Sequence, residues 1–202
     1  MTTIQVKVPN WLDLVFVWPV LLYRQWKYGY AYRRIYLGDE RFAIVEPTDY
    51  YWLNNFHWCI NVSRRNIYAV RLVLTDNWQL KKVRMHREIM NAPDGLLVDH
   101  KNGETLDNRR ANLRLATHSQ NMCNKPKTNT TSTSQFRGVH SDKRKGRWVA
   151  KIQINRKRIW LGYFDNETDA ARAYDEAAKK YHGEFARLNF PEPHITQIHP
   201  VR

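Results

Sequence analysis

GLLVDHKNGETLDNRRANLRLATHSQN, residues 95–121, reads as strand, polar loop, strand and helix. Gly95 to Asp99 sets Leu96, Leu97 and Val98 between a turn former and polar residues, the pattern of a short buried strand. Asn102-Gly103 and Asp107-Asn108 are turn signals in the loop that follows. Leu113-Arg114-Leu115 is a second short strand. Thr117 with Gln120 three residues on forms a capping box, in which each side chain satisfies a backbone N–H of the other, so a helix begins there. Asn121 falls in its first turn or so.

Upstream, Ile67 to Leu74 is a β-rich run, Thr75-Asp76-Asn77 is a turn, and Trp78, Leu80 and Val83 return between basic residues. This predicts a small antiparallel sheet that leads into a short helix over Met85 to Met90. Further back, Trp11 to Tyr23 is an apolar run broken by Asp13 and Pro19. It is shorter than the ~20 residues a spanning helix needs. Pro19 would cost a helix interior about 3 kcal/mol. The run is expected to dock on the rest of the protein. An interfacial anchor ahead of Arg24, Lys27, Arg33 and Arg34 is the other reading, and membrane contact is not expected. No basic start and no small-residue cleavage site mark a signal peptide.

Downstream, KPKTNTTSTS at 125–134 has no large apolar residue and reads as a linker. Residues 135–191 hold three short strands, Phe136 to His140, Trp148 to Ile154, and Lys157 to Tyr163 after a turn at Asn155-Arg156. Alternation places Trp148, Ala150, Ile152 and Ile154 on one face of the second strand, and Val149, Lys151 and Gln153 on the other. A helix opened by Asn166 carries Ala170, Ala171, Ala173, Tyr174, Ala177 and Ala178 at helical spacing and covers the apolar face. Gly183 ends it. Residues 192–202 read as a tail. The fold class is α+β, with 1–34 as an apolar and basic segment, 35–124 as one domain with its core at 95–124, 125–134 as linker, and 135–191 as a second domain.

The chain of 202 residues carries a formal charge of +14 and a pI of about 9.9. Such an excess favours a polyanion. Cys59 and Cys123 form no C-x-x-C pair, so neither a zinc knuckle nor a disulfide framework is indicated, and a reducing compartment is expected.

Asp99 and His100 are adjacent at the end of a strand, so their side chains start on opposite faces. A carboxylate plus the amide oxygen of Asn121 is a hard-oxygen donor set that suits Mg²⁺, which takes few protein ligands and keeps its waters. An imidazole is the side chain that exchanges protons near neutral pH. These parts suffice for metal-assisted hydrolysis of a phosphodiester.

The arrangement resembles the HNH (ββα-metal) nucleases, especially the phage and intron-encoded homing endonucleases. The carrying residues are Val98-Asp99-His100-Lys101-Asn102-Gly103, Asp107-Asn108-Arg109-Arg110-Ala111-Asn112-Leu113-Arg114 and Gln120-Asn121. The resemblance implies a catalytic set of Asp99, His100 and Asn121. Asp99 and Asn121 would be metal ligands, for Mg²⁺ or Mn²⁺ rather than Zn²⁺. His100 would be the general base and Asn112 a structural brace of the loop. His118 is the competitor of Asn121 as ligand, and His86 matches a recurrent Met-His-Arg of undefined role.

The C-terminal domain is similar to the plant-type APETALA/ethylene-response-factor DNA-binding domain. The likeness runs through Phe136-Arg137-Gly138-Val139, Trp160-Leu161-Gly162, Ala173-Tyr174-Asp175 and Leu188-Asn189-Phe190. It implies DNA contacts from Arg137, Arg158 and Trp160, with Lys151 and Gln153 beside them. By their own charge, Lys143, Arg144, Lys145 and Arg147 are expected to hold phosphates. His140, Lys151 and Gln153 depart from the plant pattern, so a target sequence does not carry over. The expected protein is a metal-dependent double-stranded DNA endonuclease of homing type with no small-molecule substrate. It would sit in the cytoplasm of a bacterium or phage-infected cell, associated with DNA. Oligomeric state is not set by the sequence. The alternative is a non-catalytic DNA-binding regulator on an HNH scaffold.

Overall fold

The computed structural model describes residues 10–63, 66–125, 133–154 and 157–191. The expected turn at Asn155-Arg156, most of the linker and the tail lie outside the described residues. The chain divides into two compact units. Among the described residues, one is formed by the segment up to Met90 together with Thr105–Leu113, the other by Asn91–Glu104 with the described chain from Arg114 to 191.

The first unit begins with α1, Asn10–Tyr28. The proline expectation is corrected here: the helix runs through Pro19. Proline lacks an N–H, which leaves the Val15 carbonyl without its helical donor. On an exposed helix water can serve that carbonyl instead. The docked-segment expectation is also corrected, because Val15, Phe16, Trp18, Leu22 and Trp26 are all more than half exposed. Among the described residues no helix is long and apolar enough to cross a membrane. A hairpin follows, β1 (Arg33–Gly38) and β2 (Arg41–Val45), then α2 (Pro47–Leu53) with Pro47 in its first turn. The second sheet is β3 (Cys59–Ser63), β4 (Asn66–Leu74) and β5 (Leu80–Arg84), antiparallel throughout, and it runs into α3 (Met85–Ile89).

Asp107 and Asn108 are fully buried rather than a surface turn. The Ile44 N–H donates to the Leu106 carbonyl at 2.9 Å, and the Asn108 N–H to the Ile44 carbonyl at 2.8 Å, so this stretch lies alongside β2. The buried Asp107 carboxylate is paired with Arg109 at 2.7 Å, and Arg109 lies 3.2 Å from the Tyr30 ring centroid. The Asn112 amide donates to the Asp107 carbonyl at 2.8 Å, closing the loop on itself.

The second unit holds β6 (Leu97–His100), β7 (Leu113–Ala116) and α4 (His118–Asn124). The two strands form one small sheet. Thr117 caps α4 with both halves of the capping box present. A three-stranded antiparallel sheet follows, with β8 (Val139–Asp142), β9 (Arg147–Ile154) and β10 (Lys157–Phe164) in the order β10-β9-β8. Helix α5 (Glu167–His182) packs across it, opened by the Asn166 side chain, which accepts from the Asp169 N–H. Ala170, Ala171 and Ala178 are fully buried against Val139, Ala150 and Ile152. Methyl side chains let helix and sheet approach closely, and Gly138 takes this to its limit. Its φ is +73°, and a Cβ there would run into the Tyr174 ring. Asp175 accepts from the N–H groups of Asn189 and Phe190, both at 2.8 Å, which straps the segment after α5 onto the domain.

Candidate active site and nucleic-acid interface

Asp99 and His100 end β6 and are both buried. Arg114, on β7, places Nε 2.9 Å and Nη2 2.7 Å from Asp99 Oδ2. Bonds between ionised partners are about twice as strong as neutral ones. Asn124, at the end of α4, donates from one amide nitrogen to Asp99 Oδ2 at 3.0 Å, to Oδ1 at 3.1 Å and to the His100 carbonyl at 2.9 Å. Asn121 lies three residues earlier on α4, on roughly the same helical face, and is half-buried. The structure therefore brings together Asp99, Arg114 and Asn124. Asn121 makes no hydrogen bond to Asp99, and His118 is exposed. His86 belongs to the first unit, buried with its ring 5.4 Å from that of Tyr68.

On the three-stranded sheet, cross-strand pairing sets Arg158 opposite Gln153 and Trp160 opposite Lys151. By strand alternation Lys151, Arg158 and Trp160 lie on the face away from α5, and Trp160 is 56% exposed. Gln153 shares their parity but also lines a concavity with Tyr174 and His182 of α5. A bulge between Trp160 and Gly162 shifts the register, so Tyr163 pairs with Val149 and returns to this same face, 5.5 Å from the Trp160 ring. Lys145 lies 4.3 Å from the Tyr163 ring. Lys143 and Arg144 are exposed in the turn between β8 and β9. Lys151, Trp160, Tyr163, His140, Lys143 and Arg144 line a concavity of about 490 Å³. Arg147 is exposed and paired with Asp165 at 3.1 Å.

Arg137 is placed otherwise. It is half-buried, not on the open face, and its guanidinium donates to the Cys123 carbonyl at 2.8 Å and to the Lys125 carbonyl. A second concavity, of about 480 Å³, is lined there by His118, Cys123, Arg137, Gln153, Tyr174 and His182. Burial raises the Cys123 thiol and the Tyr174 phenol above their ordinary values, against the opposing field of Arg137. Burial, then Arg137, holds the His182 imidazole below its own.

Residues 91–123 match the family described as HNH endonuclease, and residues 134–184 match the AP2 domain. The chain carries an HNH endonuclease domain and an AP2 DNA-binding domain. Dehydration-responsive element-binding protein 2A of Arabidopsis thaliana is 48% identical over 69 residues, which are 33% of this chain and 20% of that protein. Ethylene-responsive transcription factor 3 of Nicotiana tabacum is 47% identical over 62 residues, 30% of this chain and 27% of that protein. The chain thus spans a minor part of these relatives' length, and the likeness lies in the AP2 region.

The AP2 match over residues 134–184 implies DNA binding. In the HNH domain, the donors suit a hard cation. Among the described residues Asp99 Oδ1 accepts only the 3.1 Å bond from Asn124, which leaves it a lone-pair direction. The Asn121 amide has no side-chain hydrogen bond among the described residues. No group of three or more His, Cys, Asp or Glu able to hold a metal is present among the described residues. Asn124 and the pairing of Arg114 with Asp99 escape a reading of the sequence alone. The one signal for Asn124 is its spacing, one turn beyond Asn121.

Proposed function

We propose that the protein is a metal-dependent endonuclease that hydrolyses phosphodiester bonds of double-stranded DNA at places selected by its AP2 domain. The observation that carries this reading is the HNH-matching stretch, in which Asp99 and His100 end a strand directly against helix α4, bridged by Asn124. A divalent cation bound by Asp99 and Asn121 would supply positive charge to the leaving oxygen and to the developing phosphorane. His100 takes the proton from the attacking water, with its backbone fixed through the Asn124 bond to its carbonyl. Arg114 and Asn124 hold the Asp99 carboxylate in one orientation. Lys143, Arg144 and Lys145 grip phosphates, and Arg158, Trp160, Lys151 and Gln153 face the bases. One such site cuts one strand, so a nick is the primary product. A homing-type role in the cytoplasm of a bacterium or phage-infected cell fits this chemistry.

The test is incubation with supercoiled plasmid and Mg²⁺ or Mn²⁺. Nicking is expected, abolished by chelator and by His100→Ala. A second reading, a DNA-binding regulator without cleavage, draws on Asp99 being already engaged by Arg114. Intact plasmid under conditions where the protein binds DNA would establish it.

A further inference from the structure

Arg137 stands where the AP2 likeness implies a DNA contact, yet its guanidinium is committed to the two backbone carbonyls at the end of α4, those of Cys123 and Lys125. A cation at a helix C-terminus meets unsatisfied carbonyls and the negative end of the helix dipole. This tie is one of several between α4 with its neighbouring strand and the AP2 domain. Cys123 Sγ lies 3.4 Å from His182 Nδ1 on α5. Arg187 donates to the Asn124 carbonyl at 3.3 Å. Arg114, the arginine that holds Asp99, also donates to the Glu184 carbonyl and packs its guanidinium 3.9 Å from the Phe185 ring centroid.

We propose that Arg137 is a clamp rather than a base reader, joining the catalytic helix α4 and the AP2 domain into one rigid body. The distance from the bases read to the bond cut is then fixed by the fold. The cleavage half of this rests on the proposed nuclease function; the clamp itself does not. Arg137 sits as a positioning residue. It touches neither Asp99 nor His100, and acts through the helix that carries Asn121 and Asn124.

The experiment uses the full chain with Arg137→Ala, and with Arg187→Ala as a second variant that cuts a different tie. Three readouts are taken: affinity for a random-sequence duplex and for a duplex of plasmid sequence containing a mapped cleavage site, the number of calorimetric unfolding transitions, and the spread of cleavage ends on plasmid. Both variants are expected to keep duplex affinity within about twofold, well short of the tenfold or so that loss of a bidentate base contact brings. A single unfolding transition should become two, and sharp cleavage ends should scatter. Arg137→Ala that loses duplex affinity tenfold with the transition still single overturns the clamp. So does a variant pair whose melting and cleavage ends match the wild type. If the wild type does not cut, the nuclease reading fails, while affinity and melting still decide the clamp.

Discussion

Asn124 reaches Asp99 and His100 with one amide nitrogen: both carboxylate oxygens of the first, at 3.0 and 3.1 Å, and the carbonyl of the second, at 2.9 Å. The last turn of α4 is thereby locked to the end of β6. Asn124→Ala removes hydrogen bonds to the charged Asp99 carboxylate and to the His100 carbonyl, which keeps the Gly103 N–H at 3.0 Å, at a cost of about 1.5–3 kcal/mol. Cleavage should fall by about a hundredfold or more, since a small misplacement of reacting groups is costly. Denaturant melting and single-turnover cleavage at saturating DNA check the two halves.

Arg114 and Asp99 are a buried pair, with side chains 10% and 7% exposed. Removing one partner leaves the other charge buried alone, at a cost of about 3–5 kcal/mol. Arg114→Met is expected to destabilise the protein by that order, and Arg114→Lys by less, since it keeps the charge and loses the second N–H. Urea unfolding of the three proteins gives the ranking.

Gly138 admits no side chain. A methyl group would meet the Tyr174 ring and the Lys151 carbonyl, in a backbone conformation at φ +73° that favours glycine. Gly138→Ala should destabilise the AP2 domain by about 1–3 kcal/mol and lower DNA affinity with it. Melting followed by tryptophan fluorescence, beside a duplex titration, would show whether the two losses travel together.

Lys143 and Arg144 are exposed beside the concavity that Trp160 lines. If they neutralise phosphates, replacing both with Gln should flatten the salt dependence of binding, by about 0.9 in log–log slope for each phosphate no longer neutralised. Trp160→Ala should instead weaken binding at every salt concentration with the slope unchanged. Titrations across a salt series separate the two.

His182 is held below its ordinary value by burial and then by Arg137. The unfolded chain therefore binds the proton more readily. This contribution to stability is complete above about pH 6.5 and is lost as pH falls through the folded value. Cys123, Tyr174, His118 and Arg137 line the same concavity. Melting temperatures from about pH 7.5 down to about pH 5 should fall more steeply for the wild type than for His182→Gln.

Local rules read much of this fold. The capping box at Thr117 and Gln120, the parity of Ala150 and Ile152, and the Asn166 start of α5 all depend on neighbours within a few residues, and all are present. What escapes them depends on distant partners. Asp107 and Asn108 have turn composition, yet β2, over sixty residues earlier, takes their backbone groups into a buried pairing. Hairpin β1–β2 and strand β3 show weak alternation, too weak to separate them from an extended stretch. In the candidate site, Asp99, His100 and the helix bearing Asn121 are legible from spacing. Arg114 belongs to the HNH-like motif, but its bond to Asp99 emerges only with the β6–β7 pairing.

The extra residue at Leu161 has a practical corollary. Alternation alone would turn Trp160 and Tyr163 to opposite sides of β10; the bulge turns them to one side, their rings 5.5 Å apart. Under the proposed function, positions 151, 153, 158 and 160 are the ones to vary when retargeting the protein to new DNA. Deleting the extra residue would instead restore regular pairing with both rings still on one side, and would cost the domain an apolar side chain packed against its core.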